Sequence, residues 1–144
     1  MGRTMSRSGY SDSINDVLAA GRWRAQVKSA ISGKRGQSFL RELASAMDAM
    51  PVKELIKHEL IDEDGSCCAI GVVCKSRGVD FASIDVSDNW AVGELVGIAH
   101  QMAAEIEYLN DECCERYETP KECWLRMRKW VQAKIVNKQT EDNK

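Results

Sequence analysis

The chain has 144 residues, of which 44% are hydrophobic and 29% charged, and its net charge at pH 7 is −2. This length and composition fit one soluble globular domain that buries about two-thirds of its unfolded surface. The sequence has no apolar run near the roughly 20 residues that span a bilayer and no secretory signal core, which excludes a transmembrane span and predicts a cytoplasmic protein.

The N-terminal half contains two segments in which apolar residues recur at three- and four-residue steps, the spacing of an amphipathic helix. The first segment covers residues 13–32. The second carries an apolar stripe from Phe39 to Met50 and ends at Pro51, because proline cannot continue a helix. The intervening sequence GKRG, at 33–36, predicts a short basic loop.

The central part of the chain is harder to assign from its pattern. Residues 52–60 predict a short third helix, and the acidic sequence at 62–65 predicts a turn. The small apolar segment 67–77 predicts a helix that ends at Gly78, although its periodicity also fits a buried strand. A short strand pair near residues 56–74 is the alternative.

The C-terminal half predicts two more helical regions. Residues 85–89 are rich in capping side chains and precede a helical pattern over 90–110, with a break at Gly97. Thr119 and Glu122 flank a proline and predict a capped helix start.

These segments together predict an all-α fold, a compact single-domain bundle of five to six helices. The helical domain is expected over residues 11–136, between a flexible N-terminal segment at 1–10 and a disordered tail at 137–144.

The sequence contains no motif that indicates catalysis or metal binding. The six cysteines lack the C-x2-4-C spacing of zinc knuckles and are better explained as small buried apolar residues: Cys67, Cys68, Cys74, Cys113, Cys114 and Cys123. No nucleophile motif, phosphate-binding loop or dinucleotide fingerprint is present. We therefore expect a non-enzymatic protein with no metal and no cofactor.

The charges are segregated along the chain. Residues 1–41 carry a net charge of +6, residues 42–118 of −12 and residues 119–144 of +4. Two interpretations follow: the basic ends pack beside the acidic middle, or each patch faces an external partner. The basic candidates for partner binding are Arg24, Lys28, Lys34, Arg35 and Arg41.

Other polar residues are candidate contacts as well. The acidic turn at Asp62, Glu63 and Asp64 is a second charged patch. The pair Asn110 and Asp111 predicts either a polar anchor for a ligand or partner, or a C-terminal helix cap. A third hypothesis is capture of an anionic nucleotide by Arg77, Lys34 and Arg35.

A nucleic-acid-binding regulator is an alternative function. Residues 91–109 resemble a helix-turn-helix with Gly97 at the turn. The second helix of this segment would expose Glu105 and Glu107, which repel phosphates, so the basic N-terminal face is the better candidate for nucleic acid.

Four motifs occur in order along the chain: GKRGQSFLREL (33–43), GSCCAIGVVCKSRGVD (65–80), AAEIEYLNDE (103–112) and ETPKECWLRMRKWV (118–131). Together they resemble a group of small uncharacterised proteins of bacteriophages and prophages. The resemblance implies a phage-encoded protein in the host cytoplasm, but no catalytic residue. It favours a binding protein directed at a host protein or complex, such as a bacterial defence system.

Overall fold

The computed structural model describes residues 17–79, 85, 88–112 and 117–136. Within these residues the chain forms a compact all-α bundle, which confirms the predicted fold class. None of the described helices combines the length and apolar content needed to cross a bilayer. The predicted flexible segment (1–10) and tail (137–144) lie outside the described residues. The six helices are α1 (Val17–Ser32), α2 (Lys34–Asp48), α3 (Ala69–Arg77), α4 (Asn89–Val96), α5 (His100–Asp111) and α6 (Pro120–Lys134).

The junction between α1 and α2 is shorter than predicted. Gly33 is the N-cap of α2, and the helix begins at the next residue, so 33–36 is not a loop. The composition of this stretch is typical of a loop, but Gly36 allows the two helices to approach closely. A Cβ at this position would lie 2.0 Å from the carbonyl oxygen of Ala30. This tertiary contact accounts for the early start of α2.

The segment 52–60, predicted to be a helix, has no helical structure. Its backbone bonds to distant parts of the chain, because the N–H of Leu55 donates to the carbonyl of Pro120 at 3.1 Å. His58 has a φ of +72°, which interrupts any right-handed helix. Leu55 and Leu60 are nevertheless buried, so the apolar spacing identified the buried residues and not the backbone conformation.

The apolar segment after this irregular stretch forms α3, which confirms the helical interpretation. The Cys68 thiol accepts a backbone N–H of the first turn, and Gly78 ends the helix with a φ of +69°. Among the described residues, the alternative strand pair near 56–74 is reduced to one isolated antiparallel bridge between Ile61 and Cys67.

The remaining helix ends follow the predicted capping signals. Asp88 caps α4, and Gly97 ends it with a φ of +83°. At the start of α6 the Thr119 hydroxyl accepts the N–H of Glu122 at 3.1 Å, and the Glu122 carboxylate accepts the N–H of Thr119 at 2.9 Å. This capping box satisfies N–H groups that have no partner within the helix.

Two helices supply much of the core. α5 packs against α1, α3, α4 and α6, and α2 packs against α1, α3 and α6. Their side chains Met102, Ile106, Leu40, Leu43 and Met47 are fully buried. The outer sides of α1, α4 and α6 and the start of α2 are among the surfaces left for partners.

Candidate functional site

Four of the predicted partner-binding cations lie on α1 and at the start of α2 and are exposed to solvent. Arg24 and Lys28 lie one turn apart on α1, and Lys34 and Arg35 begin α2. Within the part of the chain that the structure describes, none of these side chains forms a hydrogen bond or an ion pair. We call these four side chains the basic surface.

The start of α2 places two cations where a helix favours anions. The first turn contains no acidic residue, and Gly33 provides no side-chain cap for the N–H groups. Because helix N-termini carry partial positive charge, Lys34 and Arg35 each destabilise α2 by about 0.3–1 kcal/mol. An anionic group bound beside this turn would offset that cost.

Two other cations that were predicted to contact a partner instead form hydrogen bonds within the molecule. Arg41 donates to the carbonyl oxygen of Val136 at 3.0 Å. Arg77 donates to both carboxylate oxygens of Glu42, at 2.7 and 2.6 Å, and to the carbonyl oxygen of Val96 at 3.1 Å. The Arg77 hydrogen bond holds the pKa of Glu42 below its ordinary value. Both arginines therefore stabilise the packing of helices, which their sequence positions did not indicate.

The basic C-terminal segment also forms ion pairs within the molecule. Arg126 binds Glu118 at 2.7 Å, and Arg128 binds both carboxylate oxygens of Asp48, at 2.8 and 2.9 Å. These C-terminal arginines therefore agree with the first interpretation of the charge segregation, in which basic and acidic segments pair within the molecule. The basic surface has no such pairing among the described residues.

Glu118 is the centre of an ion-pair network with two cations. It contacts Arg126 and also Lys57 at 3.1 Å, and the Arg126 hydrogen bond is the main cause that lowers its pKa from 4.5 to about 2. Because this carboxylate binds its proton more weakly in the folded state, its contribution to stability is present above pH 4.5 and disappears as the pH falls towards 2.

We predict that Glu118→Gln lowers the free energy of unfolding by about 2 kcal/mol at neutral pH. The difference from the native protein should shrink between pH 4.5 and 2, as Glu118 becomes protonated. Urea unfolding across this pH range measures both effects. Glu59→Gln, at an exposed position, is the control and should change little. A loss of stability in Glu118→Gln that does not vary with pH would contradict this role of the Glu118 carboxylate.

The acidic turn has a structural and an exposed part. The Asp62 carboxylate accepts the N–H groups of Asp64 and Ser66, each at 2.9 Å, and so fixes the turn. Glu63 and Asp64 are exposed, and Asp64 lines a groove of about 550 Å³ between the end of α2 and α3. Of the three predicted contacts, Glu63 and Asp64 are therefore the accessible ones.

Asn110 and Asp111 form a buried hydrogen-bond cluster. The Asn110 amide oxygen accepts the N–H of Ala69 at 3.1 Å, and its nitrogen donates to the carbonyl of Ile56 and to Asp111, both at 2.8 Å. Asp111 also accepts the N–H of His58 at 2.9 Å. The pair therefore neither caps the C-terminus of its own helix, whose C-cap is Glu112, nor forms an exposed anchor. It fastens the irregular segment and the start of α3 to α5.

An aromatic array that the sequence analysis missed lies at the surface. The ring of Trp90 stacks on His100 with 3.6 Å between centroids and 17° between planes, and Trp23 meets His100 edge-on at 5.9 Å. Trp90 remains 63% exposed. The three residues come from α4, α5 and α1 and are distant in sequence, so no local spacing could have indicated this array.

The described cysteines are unsuited to nucleophilic chemistry. Cys67, Cys68, Cys74 and Cys123 are buried, and burial raises the pKa of Cys74 and of Cys123 to about 11. These two thiols are therefore protonated at neutral pH. Residues 113–116, with the other two cysteines, lie outside the described part. Within that part, no three His, Cys, Asp or Glu side chains are grouped to hold a metal ion.

The helix-turn-helix-like segment does form two helices joined at Gly97. However, α5, the would-be recognition helix, is packed against α1, α3 and α6. Its residues Ala103, Ile106 and Glu107 are buried. A groove of DNA could not accept this helix without disrupting the core, so its position argues against base recognition.

Comparison of this chain with protein-family models, with curated proteins and with solved structures found no match. The phage resemblance therefore stays a prediction from the sequence motifs. Two exposed features are candidates for binding a partner: the basic surface and the aromatic array around Trp90.

Proposed function

We propose that the protein is a non-enzymatic binding protein whose basic surface engages an acidic region of another macromolecule. The observation that carries this proposal is the contrast among the arginines and lysines. Four arginines form hydrogen bonds or ion pairs within the molecule: Arg41, Arg77, Arg126 and Arg128. The four cations of the basic surface have no partner among the described residues.

The electrostatics of α2 support the same proposal. Two uncompensated cations at a helix N-terminus lower stability, and such local conflicts are expected where a residue serves binding rather than folding. Exposed cations also accelerate encounter with an oppositely charged partner over a distance of about 8–10 Å at physiological salt.

An acidic host protein is our preferred partner, and nucleic acid is the alternative. The chain carries a net charge of −2, with a net −12 over residues 42–118, so most of its length would repel a phosphate backbone. The resemblance of the sequence motifs to phage proteins supports a host target, such as a component of a bacterial defence system.

We predict that charge reversal separates binding from stability. The double variants Arg24→Glu/Lys28→Glu and Lys34→Glu/Arg35→Glu should each reduce capture of the partner from host lysate about tenfold. The second variant should also melt at a higher temperature than the native protein, because acidic residues suit a helix N-terminus. Quantitative affinity capture and thermal melting measure the two effects.

The matched control is Lys121→Glu/Lys129→Glu, which reverses two exposed charges on α6. It should leave capture unchanged. Nuclease treatment distinguishes the partners, because loss of all captured material after digestion would favour the nucleic-acid alternative. Equal capture by the native protein and both basic-surface variants would rule out the proposal.

A further inference from the structure

The indole of Trp90 is stacked on His100 and is largely exposed to solvent. His100 covers one face at 3.6 Å, and Trp23 supports His100 from its edge at 5.9 Å. Trp90 is still 63% exposed, which is unusual for the largest apolar side chain. Because the stack already restricts the ring, a partner that docks on the open face would lose little conformational entropy.

The neighbourhood of this ring in the sequence is acidic. Glu94 lies one helical turn after Trp90, is exposed, and forms no ion pair with a residue that the structure describes. Asp88 stands at the N-cap of the same helix. No lysine or arginine occurs anywhere between residues 78 and 115. A ligand for this surface of α4 is therefore expected to be cationic.

The ring beneath Trp90 does not supply that positive charge itself. Burial lowers the pKa of His100 below its ordinary value of 6.5, so the imidazole is neutral at neutral pH. A neutral ring leaves the π-electron face of Trp90 free to attract an external cation.

We propose that the open face of Trp90 and the carboxylate of Glu94 form a docking site for an arginine side chain of a partner protein. Arginine fits both elements, because its planar guanidinium stacks on aromatic rings and pairs with carboxylates, and it is more weakly hydrated than lysine. This site has the opposite charge preference from the basic surface and is tested separately from it.

The probe is a hexa-arginine peptide added to the full-length chain, observed through the indole N–H resonances of the tryptophans. The Trp90 resonance, identified by its loss in Trp90→Leu, is expected to shift as the peptide is added at slightly alkaline pH. Trp90→Leu and Glu94→Gln should each weaken the apparent affinity, measured by calorimetry, about threefold to fivefold. Circular dichroism verifies that both variants remain folded.

Glu63→Gln, which removes another exposed carboxylate, is the matched control and should keep the native affinity. The inference is wrong if the peptide binds the native protein and Trp90→Leu equally, or if the Trp90 resonance does not respond. A response of Trp90 to hexa-glutamate or to a single-stranded oligonucleotide, with none to hexa-arginine, would also overturn it.

Discussion

Replacement of Gly71 with alanine is expected to lower the free energy of unfolding by at least about 3 kcal/mol, a large part of the stability of a small domain. A Cβ at this position would lie 1.8 Å from the carbonyl oxygen of Leu60 and 2.8 Å from its carbonyl carbon. Both atoms belong to the backbone, so no side-chain rotation relieves the clash. Either α3 or the segment before it must move.

Urea unfolding followed by circular dichroism measures this effect. Gly21→Ala is the matched control, because Gly21 lies on α1 where an added Cβ would approach no neighbouring group within 4 Å. This control should instead stabilise the protein by about 0.5–1 kcal/mol, since alanine favours the helix. Similar stabilities of the two variants would show that α3 does not pack closely against Leu60.

Asn110→Ala is expected to lower the free energy of unfolding by about 3 kcal/mol. The amide lies in the core and joins three groups: the N–H of Ala69, the carbonyl of Ile56 and the carboxylate of Asp111. Alanine would leave the first two buried without these hydrogen bonds. Ala69 is the first residue of α3, so that helix would lose a cap supplied from another helix.

Hydrogen exchange adds a local measurement to the unfolding curve. The amide of Ala69 should exchange faster in Asn110→Ala than in the native protein, and its protection should fall more than that of residues on α6. Gln101→Ala is the control, since its side chain forms a more exposed bond to Gln26 at 3.3 Å and should contribute little. An unchanged exchange rate at Ala69 would contradict the proposed role of Asn110.

The charged residues that stabilise the fold differ from those of the two candidate surfaces. The ion pairs of Arg77 and Arg128 join helices and belong to the stability of the bundle. The basic surface and Glu94 have no such partners among the described residues, so their substitution should weaken binding without destabilising the fold. This separation allows both proposals to be tested with folded variants.

Local signals predicted several elements correctly because the physical cause lies within a few residues. Thr119 and Glu122 form the predicted capping box, and Gly78 and Gly97 end their helices with positive φ. These features depend on hydrogen bonds and steric limits over three or four residues. The all-α class followed from the same helical periodicity.

Local patterns failed where distant contacts determine the conformation. Residues 52–60 have the apolar spacing of a helix, but the backbone of this segment bonds to Pro120 and the side chain of Asn110. Charge alone could not distinguish Lys34, which is exposed, from Arg126, which forms an ion pair with the nearly buried Glu118. Whether a cation faces solvent depends on which helix packs beside it.

The sequence by itself determined the helical class, the helix caps, the buried apolar residues and the segregation of charge, because each is set by residue type and short-range spacing. Only the tertiary structure decided which cations remain available to a partner, and it alone brought Trp23, Trp90 and His100 together. The physical reason is that ion pairing and ring stacking act over a few ångströms between residues up to 80 positions apart, a separation that no local pattern encodes.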